Sequence, residues 1–197
     1  SHYAQQQPSQ YGKGMWSVPR KLALKKVGSL YFLTQQPIEA LRQLRGKQVS
    51  ANYKLPLGSA RLKCASPKSN VYEMDVTFSA LQSNVFGLNL CSGHGRKVTI
   101  SYDTDSHNLV IDRTHCADVD IPKFDRMAHA QVLPQNGKLR MHIFVDKSSV
   151  EIFCNDGQDV FTLQTFPSED QIGIETFSQK SVTNMELKWW PLQAIWK

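Results

Sequence analysis

Asp146 and Glu151 stand on either side of a short polar interruption, Lys147-Ser148-Ser149, in an otherwise alternating stretch. Two carboxylates held within a few ångströms can divide the work of nucleophile and proton donor at an acetal carbon. No His, Arg or further carboxylate is tied to either residue by spacing, so catalysis by this pair is not expected. Asp146 reads instead as a turn residue that accepts hydrogen bonds from nearby backbone N–H groups. Glu151, which falls opposite Phe144 if the chain folds back here, reads as a solvated or interface-facing residue.

Three more acids, Asp118, Asp120 and Asp125, share the loop 114–128. Several oxygen ligands could attract Ca²⁺, but the D-x-D-G spacing of a loop site is absent. His94 and the His115-Cys116 pair lack H-x₃-H or C-x₂-C companions, so no metal is expected there. The four cysteines (64, 91, 116 and 154) also lie far apart, with no C-x-x-C. Cys154 falls on an apolar row and reads as a small core residue; the sequence leaves the disulfide state of the four open. Trp189, Trp190 and Trp196 could stack on sugar faces. The plainer reading is a last strand that alternates Trp189 and Trp190 between a core and an interface, since large apolar surface more often marks packing. No catalytic, cofactor-binding or metal-binding residue is therefore assigned.

The elements that would position these residues are strands. Residues 139–162, LRMHIFVDKSSVEIFCNDGQDVFT, alternate apolar and polar side chains with period two, the pattern of half-buried strands. Leu139, Met141, Ile143 and Val145 share one face. Folding at the polar quartet 146–149 sets Val145 against Val150, Ile143 against Ile152 and Met141 against Cys154. A second turn at Asn155-Asp156-Gly157-Gln158 sets Ile152 against Phe161 and Val150 against Leu163. Apolar meets apolar at every rung, so the pattern itself specifies the register of a three-stranded meander.

Similar runs follow the same rule: residues 71–78, 85–90, a hairpin within 97–112, 171–177 and 182–190. Upstream, 15–26 and 29–34 read as two short strands joined near Gly28. Pro37 suits the first turn of a short helix, with Ile38, Leu41, Leu44 and Arg45 at helical spacing and Gly46 as its stop. Ten to twelve closely spaced strands without a βαβ pattern predict an all-β fold, a two-sheet antiparallel β-sandwich of lectin or jelly-roll type.

Composition agrees with one such domain. The chain has 197 residues, 41% hydrophobic and 20% charged, enough for a single well-buried core and too apolar for disorder. No apolar run approaches a membrane span. The opening SHYAQQQPSQYGKG has neither the charged nor the apolar region of a signal peptide, so any export signal lies outside this sequence. The net charge of +6 is uneven: residues 1–47 hold eight Lys/Arg against one acid, and the remainder fifteen against sixteen. That distribution reads as a solvated or interdomain face at the N-terminal end, and no basic stripe interleaved with aromatics favours nucleic acid.

FVDKSSVEIFCNDG, Phe166-Pro167 and the closing IGIETFS resemble the C-terminal β-sandwich of glycoside hydrolase family 32, the family of invertases, levanases, inulinases and fructan exohydrolases. MWSVPRKLAL (15–24) resembles that family's last propeller strand, and QQPIEALRQLR (35–45) its linker into the sandwich. The resemblance implies three parts: residues 1–34 as an entry segment and remnant of the last propeller blade, 35–46 as a linker helix, and 47–197 as the C-terminal sandwich.

It also implies a retaining mechanism carried by two propeller carboxylates about 5 Å apart. The family's motifs for them, a Trp-x-Asn-Asp-Pro-Asn-Gly stretch, an Arg-Asp-Pro and a Glu-Cys pair, are missing. No proline here follows Asp, and the cysteines follow Lys63, Leu90, His115 and Phe153. The expected role is a non-catalytic sandwich packed on a catalytic β-propeller of a β-fructofuranosidase- or levanase-type parent. Two alternatives remain: a carbohydrate-binding, lectin-like module, and one chain of a split fructosidase. The partners implied are that propeller, a fructan or other glycan, or a second copy in a homodimer, with no cofactor. Localisation stays open, a secreted or periplasmic parent being what the resemblance suggests.

Overall fold

The computed structural model describes residues 7–8, 14–117 and 124–195. Asp118, Asp120, Trp196 and most of the 1–14 entry lie outside the described residues. In chain order the elements are β1 (Arg20–Val27), β2 (Leu30–Pro37), a 3-10 helix (Glu39–Leu44), β3 (Val49–Lys54), β4 (Gly58–Arg61), β5 (Tyr72–Ser79) and β6 (Val85–Gly93). They continue with β7 (Arg96–Asp103), β8 (Asn108–Asp112), β9 (Met127–Gln131), β10 (Leu139–Asp146), β11 (Ser149–Cys154), β12 (Asp159–Gln164), β13 (Gly173–Ser178) and β14 (Asn184–Pro191).

Twelve of these strands form two antiparallel six-stranded sheets, ordered β12-β11-β10-β5-β14-β3 and β4-β13-β6-β7-β8-β9. β1 and β2 make a separate two-stranded hairpin. Each sheet is built around a meander, β10-β11-β12 in the first and β6-β7-β8-β9 in the second. The chain then crosses between sheets to place β5, β13 and β14 as internal strands.

The register of the first meander is the one its alternation demands. Met141 pairs with Cys154, Ile143 with Ile152 and Val145 with Val150; Ile152 then pairs with Phe161 and Val150 with Leu163. On the other side β10 sets Ile143 against Met74 and Leu139 against Phe78 of β5. The facing sheet contributes Phe86, Leu88, Ile100 and Ile111, all fully buried. Phe78 of one sheet and Phe86 of the other meet with ring centroids 4.7 Å apart, so the core is closed by contacts between layers. Arg113, just past β8, adds a polar tie by donating to the Gln164 carbonyl of β12 at 2.6 Å.

The four cysteines are free thiols, and Cys91, Cys116 and Cys154 are buried. Burial pushes the Cys91 thiol up to about 12 and raises that of Cys154 as well, so neither supplies a thiolate near neutral pH.

The segment 35–46 differs from its reading as a helix. Pro37 closes β2 rather than opening a helix, and the turn that follows is a 3-10 helix capped without a side-chain bond at Ile38. Arg45 is already extended, with φ −68° and ψ 128°. Gly46 is needed for approach rather than for a left-handed cap. Its N–H donates to the Pro191 carbonyl at 2.7 Å, and a side chain there would meet Pro191 Cγ at 2.9 Å. Docking onto β14, not helical propensity, ends the turn.

Candidate functional site

Alternation sends half of each strand away from the core, and on the first sheet that outer half forms two unusual rows. Register places Thr162, Glu151, Phe144, Glu73 and Trp190 in one line across β12, β11, β10, β5 and β14. The neighbouring line runs through Val160, Phe153, His142, Asp75 and Lys188. An outward face is ordinarily wet, yet Glu73 and Glu151 are only 1% and 2% exposed, and Phe144, Phe153 and Trp190 are buried too.

The N-terminal segment provides the cover. Arg20 of β1 places Nη2 2.5 Å from Glu151 Oε2 and also donates to Thr162 Oγ1. Glu151 Oε1 accepts the Val18 N–H at 2.6 Å. The Arg20 guanidinium lies 5.1 Å from the Phe153 ring centre. Arg45, leaving the 3-10 helix, grips Glu73 with both ends of its fork, Nε to Oε2 at 2.7 Å and Nη2 to Oε1 at 2.5 Å. The same guanidinium stacks 3.9 Å above Trp190, and His142 Nε2 sits 2.5 Å from Glu73 Oε1. A planar, always-charged fork suits this bidentate, ring-stacked geometry.

Burial alone would drive the Glu73 carboxyl up, but hydrogen bonds from Arg45 and then His142 outweigh it and bring it down to about 2. The same Glu73 contact raises Arg45. A general acid needs the opposite, a carboxyl held protonated near neutral pH. Both oxygens of Glu73 and of Glu151 are also occupied. With both carboxylates paired in this way, the arrangement can clamp a chain segment.

A backbone contact completes the clamp. The turn between β11 and β12 runs through Asn155, Asp156 and Gly157, all at positive φ (47°, 62° and 80°). Gln35 of β2 donates its N–H to the Gly157 carbonyl at 2.8 Å. A side chain at Gly157 would lie 1.8 Å from the Gln35 carbonyl oxygen, so only glycine permits the approach. Gly157→Ala is expected to cost at least about 1–2 kcal/mol through the left-handed backbone alone. It should also lift the hairpin, so that limited proteolysis cuts near Gly28 well before the sandwich. Equal protection of the hairpin in both proteins would contradict this.

Glu151 takes the interface-facing of its two sequence readings. It pairs with Phe144 across the strands and is buried against the N-terminal segment rather than solvated, because Arg20 arrives from 131 residues away. Asp146 is exposed and accepts the Lys147 N–H at 2.7 Å. Asp125 is exposed, far from this face in sequence, and caps Met127 at 3.4 Å. Trp189 points into the core, donating from its indole N–H to the Ala65 carbonyl at 3.1 Å, whereas Trp190 lies beneath Arg45. Neither offers an open stacking face. His94 pairs with Asp170 on the other sheet. Among the described residues no three of His, Cys, Asp and Glu gather to hold a metal ion.

Sequence reasoning missed Glu73, Arg20, Arg45 and His142. The signal available was weak: a charge on the outer row of an apolar strand, and basic residues gathered in 1–47. Between the segment 36–45 and the sheet a cleft of about 470 Å³ remains, bordered by Gln36, Arg42, Asp75, Arg140 and Asp156.

Residues 38–191 match the family described as Glycosyl hydrolases family 32 C terminal, and the chain belongs to that family. It is 33% identical over 178 residues to the sucrose-6-phosphate hydrolase of Streptococcus mutans, spanning 90% of this chain and 33% of that protein. Against the extracellular exo-inulinase of Aspergillus awamori it is 30% identical over 177 residues, covering 84% and 32% respectively. The levanase of Bacillus subtilis is 28% identical over 199 residues, covering 98% and 29%. The crystal structure of the A. awamori exo-inulinase superposes with a TM-score of 0.88 at 28% identity, over 98% of this chain and 39% of that one. The chain thus spans about a third of the length of these relatives.

Proposed function

We propose that this chain is the non-catalytic C-terminal β-sandwich of a fructan-acting glycoside hydrolase of β-fructofuranosidase or levanase type, built to hold a catalytic β-propeller. In this reading residues 1–34 are the entry and the remnant of the last propeller blade, 35–46 the linker, and 47–197 the sandwich. One observation carries it. The hairpin and the linker are each clamped to the sandwich by a buried ion pair, Arg20–Glu151 and Arg45–Glu73, while the hairpin leaves an apolar strip bare. Leu22, Leu24, Tyr31 and Leu33 share one face of β1–β2 by register and are 52–70% exposed. Trp16, just ahead of them, is 97% exposed. A two-stranded ribbon is marginal alone and calls for a further layer on its leucines, which a propeller blade would supply.

The reading predicts that the chain alone releases no measurable fructose from sucrose, inulin or levan over hours, scored as reducing sugar against a heat-denatured control. Glycosidic cleavage needs an acid and a nucleophile a few ångströms apart, and the buried carboxylates here are both committed to arginines. Turnover that vanished on substituting Asp146, Glu151 or Glu73 would overturn it. As a positive arm, a separately expressed propeller from the parent protein should associate with the chain, and Leu24→Asp with Leu33→Asp should abolish that association.

A further inference from the structure

On the opposite sheet, away from the linker clamp, a groove of about 620 Å³ opens between β4, the β6–β7 turn and the segment 168–175. Its charge is not that of the sandwich as a whole. Residues 48–197 are nearly balanced, with fifteen Lys/Arg against sixteen acids, yet Arg61, Arg96 and Lys97 converge here. The two carboxylates within the groove are already engaged. Glu175 Oε2 accepts from Asn89 Nδ2 at 3.1 Å and from Ser59 Oγ at 3.3 Å. Asp170 accepts from Ser168 Oγ at 2.6 Å and lies 2.6 Å from His94 Nε2. Arg61 and Lys97 are exposed and make no ion pair among the described residues.

Local backbone geometry fixes the rim. His94 and Gly95 both take positive φ, 52° and 75°, the two-residue turn that suits a tight hairpin, and Lys97 follows on the exposed face of β7. Ser66 and Ser92 add hydroxyls, and Pro67, Ile172 and Ile174 add apolar surface to the walls. The space far exceeds a bare phosphate and falls within the range of small-molecule sites. Serine hydroxyls beside apolar surface suit the polar edges and apolar face of a polyhydroxylated ring, and Arg61 and Lys97 suit an anion on it.

We propose that this groove binds an anionic saccharide, a sugar carrying a phosphate monoester or a carboxylate, with Arg61 and Lys97 holding the anionic group. The site is separate from the propeller-supporting role and does not depend on it. Calorimetric titration of the 197-residue chain with fructose 6-phosphate and with digalacturonate tests it, using fructose and inorganic phosphate as controls. At least one anionic sugar should bind, more weakly as salt rises. Arg61→Gln with Lys97→Gln should weaken that binding by about tenfold or more without shifting the melting temperature, since both side chains are exposed. The tighter of the two ligands assigns phosphate or carboxylate. Binding of neither, equal binding of fructose, equal binding of inorganic phosphate, or indifference to the double substitution would each overturn the proposal.

Discussion

Arg45→Met is expected to lower the stability of the chain at pH 7 by about 3 kcal/mol, the scale for stranding a buried charge by removing its partner. Glu73 is 1% exposed and would keep only His142 as a partner. The stacking of the guanidinium on Trp190 is lost as well. Urea denaturation of both proteins measures the effect, and adding Glu73→Gln to the variant should recover part of it, because an amide does not carry the uncompensated charge. A loss under about 1 kcal/mol, the scale of an exposed pair, would mean that solvent screens the carboxylate.

The same pair sets a pH dependence. Glu73 is depressed in the folded chain from the usual 4.5 to about 2. Its contribution is therefore fully present above about pH 4.5 and is lost as pH falls from there toward 2. The gap corresponds to about 3 kcal/mol. Wild type should lose that much more stability than Glu73→Gln over this interval. Parallel pH profiles for the two proteins would remove the assignment.

A loss of comparable size is expected at the centre of the first meander. Ile152→Ala removes a fully buried side chain that pairs with Ile143 on one side and Phe161 on the other. Burial of this kind is worth about 2–5 kcal/mol when truncated to alanine, the spread depending on how far neighbours collapse. Ile152 sits on an internal strand between β10 and the edge strand β12 and is fully buried in the core between the sheets, so little collapse is available. Chemical denaturation decides this too, and a cost below about 1 kcal/mol, the scale of a surface change, would place Ile152 outside the packed layer.

These two effects mark the division between what the chain spells out and what folding adds. The β10–β11–β12 register is written in the sequence because a strand repeats every two residues, and a slip by one would turn Ile143, Val145, Val150 and Ile152 out to water. Local turns at 146–149 and 155–158 close the pairing, so no distant information is needed. The two-sheet class follows from the number of such runs and the absence of helical spacing. By contrast, β3, β4 and β9 were not delimited in advance. They are short edge or near-edge strands with half-exposed patterns, and their pairing depends on neighbours already in place.

The linker face was legible only in outline. A surplus of cations in 1–47 left a solvated or an interdomain face open, and did not say which carboxylates it would meet. Glu151 is an outward residue on its strand, and the strand pattern alone leaves open whether solvent or an interface meets it. Its burial depends on Arg20, 131 residues earlier, and that of Glu73 on Arg45, 28 residues earlier. Ion pairs carry no period along the chain, so nothing in the spacing of either residue announces the other. The apolar rungs of the sandwich were thus determined by sequence, through the two-residue repeat of a β-strand. The clamp, and the bare leucine strip it holds out, were decided by tertiary structure, because only the folded sheet brings a buried carboxylate within reach of its arginine.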